Sequence, residues 1–308
     1  MTVMCSAGIL NRGMGVYTYY FPIVAFPETK TKLHSLQLGW DRHNRIPLYE
    51  KALGLNGGGD QHLLDPANAM QTIQVEEWYA HWWKLGLEPH ILTYNKADQC
   101  FRYPEEAALW IKAHPGKRWI IGNEPDGSYE MGGCEMSPAE YAQFYWAASN
   151  LIRSADPTAY LIMAGWAGGV GEPAIDGNNE AVMLNYYYQN YGRMDVQAFS
   201  FHVYQRDRFD NPYPENKLKR FCKAASVWKD LGWCETDQAL LTEFGWSGLD
   251  IPNNTANNCM KFMSWYIPKL RNHPQITGWY WWEWGAGAML MKDGEPTDVG
   301  VLYSNMRA

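Results

Sequence analysis

Several signatures that would assign a chain at once are missing from this one. No run of about 18 apolar residues is present, so nothing reads as a membrane-spanning helix and no membrane partner is expected. Lys and Arg are scattered rather than clustered, and the formal net charge is −7. Nucleic acid is excluded as a partner on that ground, because a phosphate backbone demands a concentrated positive surface. The six cysteines (Cys5, Cys100, Cys134, Cys222, Cys234 and Cys259) contain no C-x-x-C pair, which removes zinc-ribbon and thioredoxin-like readings. Their even number permits disulfides without requiring them in a chain with a full core. There is no H-E-x-x-H, no G-x-S-x-G elbow and no P-loop, so metal, serine-nucleophile and nucleotide chemistry lose their usual sequence support. Neither metal nor cofactor is expected. Residues 1–26 lack a clean apolar stretch followed by a small-residue cleavage site, so no signal peptide is read there. Extracellular and cytoplasmic locations both stay open.

What the chain has in excess is aromatic side chains: 16 Trp and 20 Tyr bring the aromatic share to 15%. Most such rings serve core packing. The alternative is carbohydrate binding, since sugar rings have apolar faces that stack on flat indoles while their hydroxyls need polar partners. The 308 residues show no low-complexity segment and no long linker. From residue 88 onward short apolar runs alternate with helical stretches, the pattern of βα units on a parallel sheet. Strands are predicted at 88–95 (EPHILTYN), 118–123 (RWIIGN), 160–166 (YLIMAGW), 196–204 (VQAFSFHVY), 239–246 (ALLTEFGW) and 276–284 (ITGWYWWEW). Helices fall between them, the sharpest opening at Ser137-Pro138 with Glu140 at a capping-box position and stopping at Asp156-Pro157. Upstream, 72–85 reads as a helix, and 15–20 and 36–40 as the remaining strands. Eight units in one chain favour a single-domain (β/α)8 TIM barrel of the α/β class over residues 1–308. The runner-up is a doubly wound sheet, which usually shows a Gly-rich turn after its first strand; Gly57-Gly58-Gly59 follows no clear strand and does not match that fingerprint.

In such a barrel the chemistry lies at the carboxyl ends of the strands. The fourth predicted strand ends in Asn123-Glu124-Pro125-Asp126 and the seventh in Thr242-Glu243-Phe244-Gly245. A lone Glu at a strand end is ordinarily a helix cap or an ion-pair partner. Two of them on opposite walls of one barrel suit glycoside hydrolysis, where one carboxyl protonates the leaving oxygen and the other attacks the anomeric carbon or activates water.

These residues resemble clan A of the glycoside hydrolases, the superfamily with catalytic Glu on strands four and seven. Asn123-Glu124-Pro125 looks like its acid/base motif, and the resemblance implies that Asn123 holds the sugar 2-hydroxyl and Glu124 is the proton donor. Thr242-Glu243-Phe244-Gly245 looks like its nucleophile motif. His202-Val203-Tyr204 is similar to the H-x-Y of strand six, whose members touch the nucleophile or the sugar. The Trp-rich end of the last strand, 281–284, resembles the position of a stacking Trp, and Arg42 falls where the clan has an Arg near the nucleophile. The implied function is a retaining β-glycosidase on oligo- or polysaccharides, with a transglycosylase or a non-catalytic carbohydrate-binding barrel as alternatives; a monomer is expected. Beyond these motifs, Trp40, Trp166, Tyr94 and Asn95 end strands and either line subsites or close the barrel top. Trp282 or Trp284 is favoured as the platform. Glu283 either meets a sugar hydroxyl or packs, because alternation sends it away from Trp282. Asp126 reads as a cap or turn former, and Asn253-Asn254-Thr255 is a glycosylation sequon that matters only in a glycosylating host.

Overall fold

The computed structural model describes residues 32–38, 46–60, 69–76, 93–127, 135–166, 179–205, 210–246, 255–283 and 286–306. Ten strands form one sheet: β1 (Leu33–Leu38), β2 (Gly59–Asp60), β3 (Met70–Val75), β4 (Thr93–Asn95), β5 (Cys100–Phe101), β6 (Arg118–Ile121), β7 (Tyr160–Met163), β8 (Ala198–Gln205), β9 (Ala239–Trp246) and β10 (Ile276–Trp282). Their order is β2-β1-β10-β9-β8-β7-β6-β3-β4-β5, and β2 is hydrogen-bonded to β3 as well as to β1. Every pairing in it is parallel except that of β4 with β5. From β6 to β10 each strand lies beside its predecessor, without the reversal of order that marks a doubly wound sheet. The helices are α1 (Ile46–Leu53), α2 (Pro104–Ala113), α3 (Pro138–Ala155), α4 (Asn179–Tyr191), α5 (Tyr213–Asp230), α6 (Ala256–Asn272) and α7 (Asp298–Asn305). The protein is thus of the α/β class. No described helix is long and apolar enough to cross a membrane.

Local sequence explains most of these boundaries. Ser137 accepts from the Glu140 amide while the Glu140 carboxylate takes the Ser137 amide, so the predicted capping box forms and α3 starts at Pro138. Such a cap is worth about 1 kcal/mol. The buried face of α3 is Tyr141, Phe144, Tyr145, Ala148 and Ile152, spaced to line one side of a helix. Thr255 caps α6 with its side chain alone, accepting the Asn258 amide. Gly278 is required where β10 meets β1, because a Cβ there would lie 2.6 Å from that of Leu33. Cys222 and Cys234 are buried thiols, pushed up to about 12 chiefly by that burial; Cys5 and Cys134 lie outside the described residues.

Two upstream expectations need correction. Residues 72–75, read as the start of a helix, belong to β3, all six residues of which are buried. A strand covered on both faces loses the two-residue alternation that identifies it, and Thr72, Ile73 and Val75 are β-branched residues that favour the extended chain. Helical geometry begins only at Glu76. Of the strand expected at 36–40, residues 36–38 belong to β1, which pairs with β10, so among the described strands it is the first, beside the last, and not the second. β3 then takes the second place and the numbering of later strands is unaffected. The strand expected at 15–20 lies outside the described residues, as do Trp40, Arg42 and the sequon at Asn253-Asn254.

Candidate active site

β6 ends at Ile121, and Gly122-Asn123-Glu124 carries the chain over the carboxyl edge of the sheet. Glu124 adopts φ +43°, a left-handed backbone that costs a non-glycine residue roughly 1 kcal/mol or more. Three bonds hold the turn: the Glu124 amide donates to the Gly165 carbonyl (3.0 Å), the Gly127 amide to the Glu124 carbonyl (2.8 Å), and the Met136 amide to the Pro125 carbonyl (2.6 Å). Beneath it the buried Tyr141 hydroxyl donates to the Ile121 carbonyl (2.7 Å) and accepts the Ala164 amide (2.8 Å), stitching the ends of β6 and β7 together.

The second carboxylate is aimed by a bulge. On β8, Phe201 lies opposite Leu241 and His202 opposite Glu243; on β10, Trp279 lies opposite Leu241 and Trp281 opposite Phe244. β9 therefore holds one residue more than either neighbour, Thr242. Phe201 faces the helices, its ring stacked on Phe221 of α5 at 4.6 Å, and Leu241 shares that side. Plain alternation would send Glu243 the same way. The extra residue turns it to the face of His202 and Tyr204, which is what bulges beside functional sites do. Phe244 returns to the helix side against Phe262 and Tyr266, and Trp281 follows it into full burial, its indole N–H bonded to the Ala288 carbonyl (2.8 Å). Trp282 is thereby left half-buried on the other face.

The two carboxylates converge on His202. Its Nδ1 is 2.9 Å from Glu124 Oε1 and its Nε2 is 3.7 Å from Glu243 Oε1, a hydrogen bond and a longer charge contact. The Tyr204 hydroxyl donates to Glu243 Oε2. One carboxylate oxygen of each Glu and a ring nitrogen of His202 all lie within 4.8 Å of one another, a donor set whose chemistry would also suit a divalent cation. Burial alone lowers the affinity of His202 for a proton, but Glu243 and then Glu124 overcome it, so its pKa is raised. Burial, with Glu243 and Glu124 adding, holds the Tyr204 hydroxyl protonated well past its ordinary range. Glu124 also interacts electrostatically with a further charge group, the buried Glu180 and Lys217 with the half-buried Asp126. Burial pushes Glu180 up to about 7, with Asp126 adding, and burial lowers Lys217 against the pull of Glu180, Glu124 and Asp126.

Of the residues singled out from sequence, Glu124, Glu243, His202 and Tyr204 are in direct contact here, and Asn123 is buried beside them. Trp166 lies three residues beyond the end of β7 and is 3% exposed with its ring edge-on to Tyr141, so it is a packing residue and not an open subsite wall. Tyr94 likewise packs on Phe101 and Phe144, and Asn95 binds Glu76 and the Asp98 amide. Glu283 turns away and accepts the Leu290 amide, holding the return loop. Tyr141, Gly165, Glu180 and Lys217 were missed, since none stands at a strand end with a motif around it.

Two neighbouring carboxylates over the carboxyl edge of a parallel sheet suit the chemistry of glycoside hydrolases. The chain belongs to the glycosyl hydrolase catalytic core family, whose model matches residues 105–303. Among curated proteins none matches the sequence. The fold is similar to that of a GH128 subgroup I endo-β-1,3-glucanase from Amycolatopsis mediterranei, solved with laminaritriose, at 15% identity and TM-score 0.58 over 90% of this chain and 99% of that one. It is also similar to a GH128 subgroup III curdlan-specific exo-β-1,3-glucanase from Blastomyces gilchristii (16% identity, TM-score 0.55, 89% and 97% covered). A GH128 subgroup VII oligosaccharide-binding protein from Cryptococcus neoformans shares the fold as well, at 10% identity and TM-score 0.55 over 89% and 93%.

Proposed function

We propose that this protein is a retaining endo-glycosidase acting on β-linked glucans, with Glu243 as nucleophile and Glu124 as acid/base, on a single (β/α)8 barrel of the clan A type. The observation that carries the reading is the spacing of the carboxylates: oxygens of Glu124 and Glu243 lie within 4.8 Å of each other. Retaining enzymes hold their carboxyl groups about 5–5.5 Å apart, whereas inverting ones leave roughly 6.5–9.5 Å for a water. Barrel closure is supported by β2, which bridges β1 and β3. In the first step a Glu243 oxygen bonds to the anomeric carbon as the glycosidic C–O bond breaks, and the Glu124 proton goes to the leaving oxygen. In the second, water attacks the same carbon, Glu124 takes its proton, and the Glu243 ester bond breaks. Tyr204 fixes the nucleophile by its hydroxyl, and Asn123 is assigned to the sugar 2-hydroxyl, a contact that strengthens in the transition state. Trp282 is the stacking platform of the described residues. Glucans with β-1,3 linkage are the first substrates to try, because the structurally similar glucanases act on them.

The test is digestion of a β-glucan panel followed in real time by proton NMR of the newly formed reducing ends. Internal cleavage that first yields β-anomers is expected. First appearance of α-anomers would make Glu243 a general base, and tight binding without cleavage would make the protein a carbohydrate-binding barrel like its oligosaccharide-binding structural neighbour. Faster turnover of an aryl monosaccharide than of a long glucan would remove the endo mode. Products longer than the starting chains at high acceptor concentration would identify a transglycosylase.

A further inference from the structure

Gly165 touches both halves of the site without contributing a side chain. Its carbonyl takes the Glu124 amide at 3.0 Å, one of the bonds that keep Glu124 in left-handed backbone. Its bare Cα faces His202: a Cβ at this position would lie 3.1 Å from His202 Cδ2, 3.2 Å from His202 Nε2 and 3.1 Å from the Phe201 Cα. Comfortable carbon contacts begin at about 3.5 Å, so a methyl group would push the imidazole by a few tenths of an ångström. The ring has little slack, because it is buried and fixed at Nδ1 by Glu124 at 2.9 Å while Nε2 faces Glu243 at 3.7 Å. We propose that Gly165 is a positioning residue for the glycosidase reaction: its missing side chain sets where His202 stands between Glu124 and Glu243, and its carbonyl sets the backbone that presents Glu124. This rests on the paired-carboxylate reading above and extends it to the segment that follows β7, which carries no titratable group in the site.

The experiment is a cycle of Gly165→Ala and His202→Ala, with kcat/KM measured on whichever glucan the wild-type protein cleaves. Gly165→Ala alone should cost about 10- to 100-fold, the loss typical of a misplacement near 1 Å or less. With His202→Ala already present, the added cost should be at least about 3-fold smaller; whatever the contact with Phe201 costs is common to both backgrounds and cancels in their ratio. Equal losses in the two backgrounds would overturn the proposal. So would failure of both Gly165→Ala and the double variant to fold, because strand packing against Phe201 would then be the reason for glycine. A second readout needs no activity: NMR titration of the His202 imidazole should show a pKa shifted in folded Gly165→Ala from that of wild type, and an unchanged value refutes the displacement. If wild type cleaves no glucan, the hydrolase reading falls while this titration still decides the role of Gly165.

Discussion

Glu243 stands within an eight-residue strand, every residue of which is buried, and is turned to its face by a one-residue bulge. Glu124 stands beyond the end of a four-residue strand, on left-handed backbone held by three main-chain bonds. The Glu243 side chain is 6% exposed and the Glu124 side chain 12%. The polar neighbours of Glu243 include a protonated phenol and the edge of an imidazole; those of Glu124 include His202, and it feels the charge of Lys217, which is grouped with Glu180 and Asp126. The contrast suits the two roles proposed for these residues. A nucleophile must sit at one point and stay ionised, which a rigid strand and a donated hydroxyl provide. An acid/base must gain and lose a proton within each turnover, which calls for access to solvent and a tunable set of charges.

The largest way to sharpen that contrast is to remove each carboxylate and supply a small anion. Glu243→Ala should lose roughly 10⁴-fold or more in kcat, about 5 kcal/mol, on every substrate. Azide with an activated aryl glycoside should then restore turnover and give the glycosyl azide of inverted configuration. Glu124→Ala should lose about 10²- to 10⁴-fold on natural glucan, the usual worth of a general acid, but far less on an aryl glycoside whose leaving group needs no proton. Its azide product should have retained configuration. Identical azide products from the two variants, or equal losses on both substrates, would break the assignment of roles.

A second test addresses the charges behind Glu124. Glu180 is 2% exposed, and burial raises its pKa from 4.5 to about 7, with Lys217 opposing and Asp126 reinforcing the shift. A carboxyl with a raised folded-state pKa favours the folded state while protonated in both states and disfavours it once ionised. Its stabilising influence is complete below about pH 4.5 and is lost as pH climbs to about 7, an integrated loss of about 3 kcal/mol. His202, also raised, contributes in the same direction at pH above its unfolded value of 6.5, but that term is common to both proteins compared. Glu180→Gln keeps the shape and the neutral form. The variant should therefore gain in Tm relative to wild type between pH 5 and pH 8. A difference that stays flat over that range would mean that Glu180 is ionised throughout.

The two regions also differed in how much the sequence disclosed of them. The Glu243 side was legible in outline, because ALLTEFGW is a long apolar run and His202 and Tyr204 are two apart on a neighbouring strand. Its decisive detail, the bulge at Thr242, leaves no trace in composition or spacing, since it exists only as register between strands. The helix α3 and its cap were legible because Ser137, Pro138 and Glu140 act locally. β3 was not, because a strand buried on both faces offers no alternation, and the Trp and Glu residues after it suggest a helix. Trp166 misled for a related reason: a strand end tells where a side chain starts, while Tyr141, arriving from α3, decides what covers it. Gly165 and Lys217 escaped because their significance lies in what other elements bring to them.

The smallest effect, and the finest probe of the strand-held side, comes from Thr242. It is 1% exposed, and its hydroxyl has no hydrogen-bond partner among the described residues. A buried hydroxyl without a partner costs about 1 kcal/mol or more, and replacing it with a methyl group of similar shape relieves that cost. Thr242→Val should keep the β-branched residue that an extended chain favours and raise Tm by roughly 1–3 °C. The bulge depends on residue count and not on the hydroxyl, so the aim of Glu243 should survive the exchange. A fall in Tm would show that the hydroxyl is hydrogen-bonded in solution. An unchanged Tm with a lower kcat/KM would put the hydroxyl in the service of the substrate, and the nucleophile strand would then contribute more than a rigid mount for Glu243.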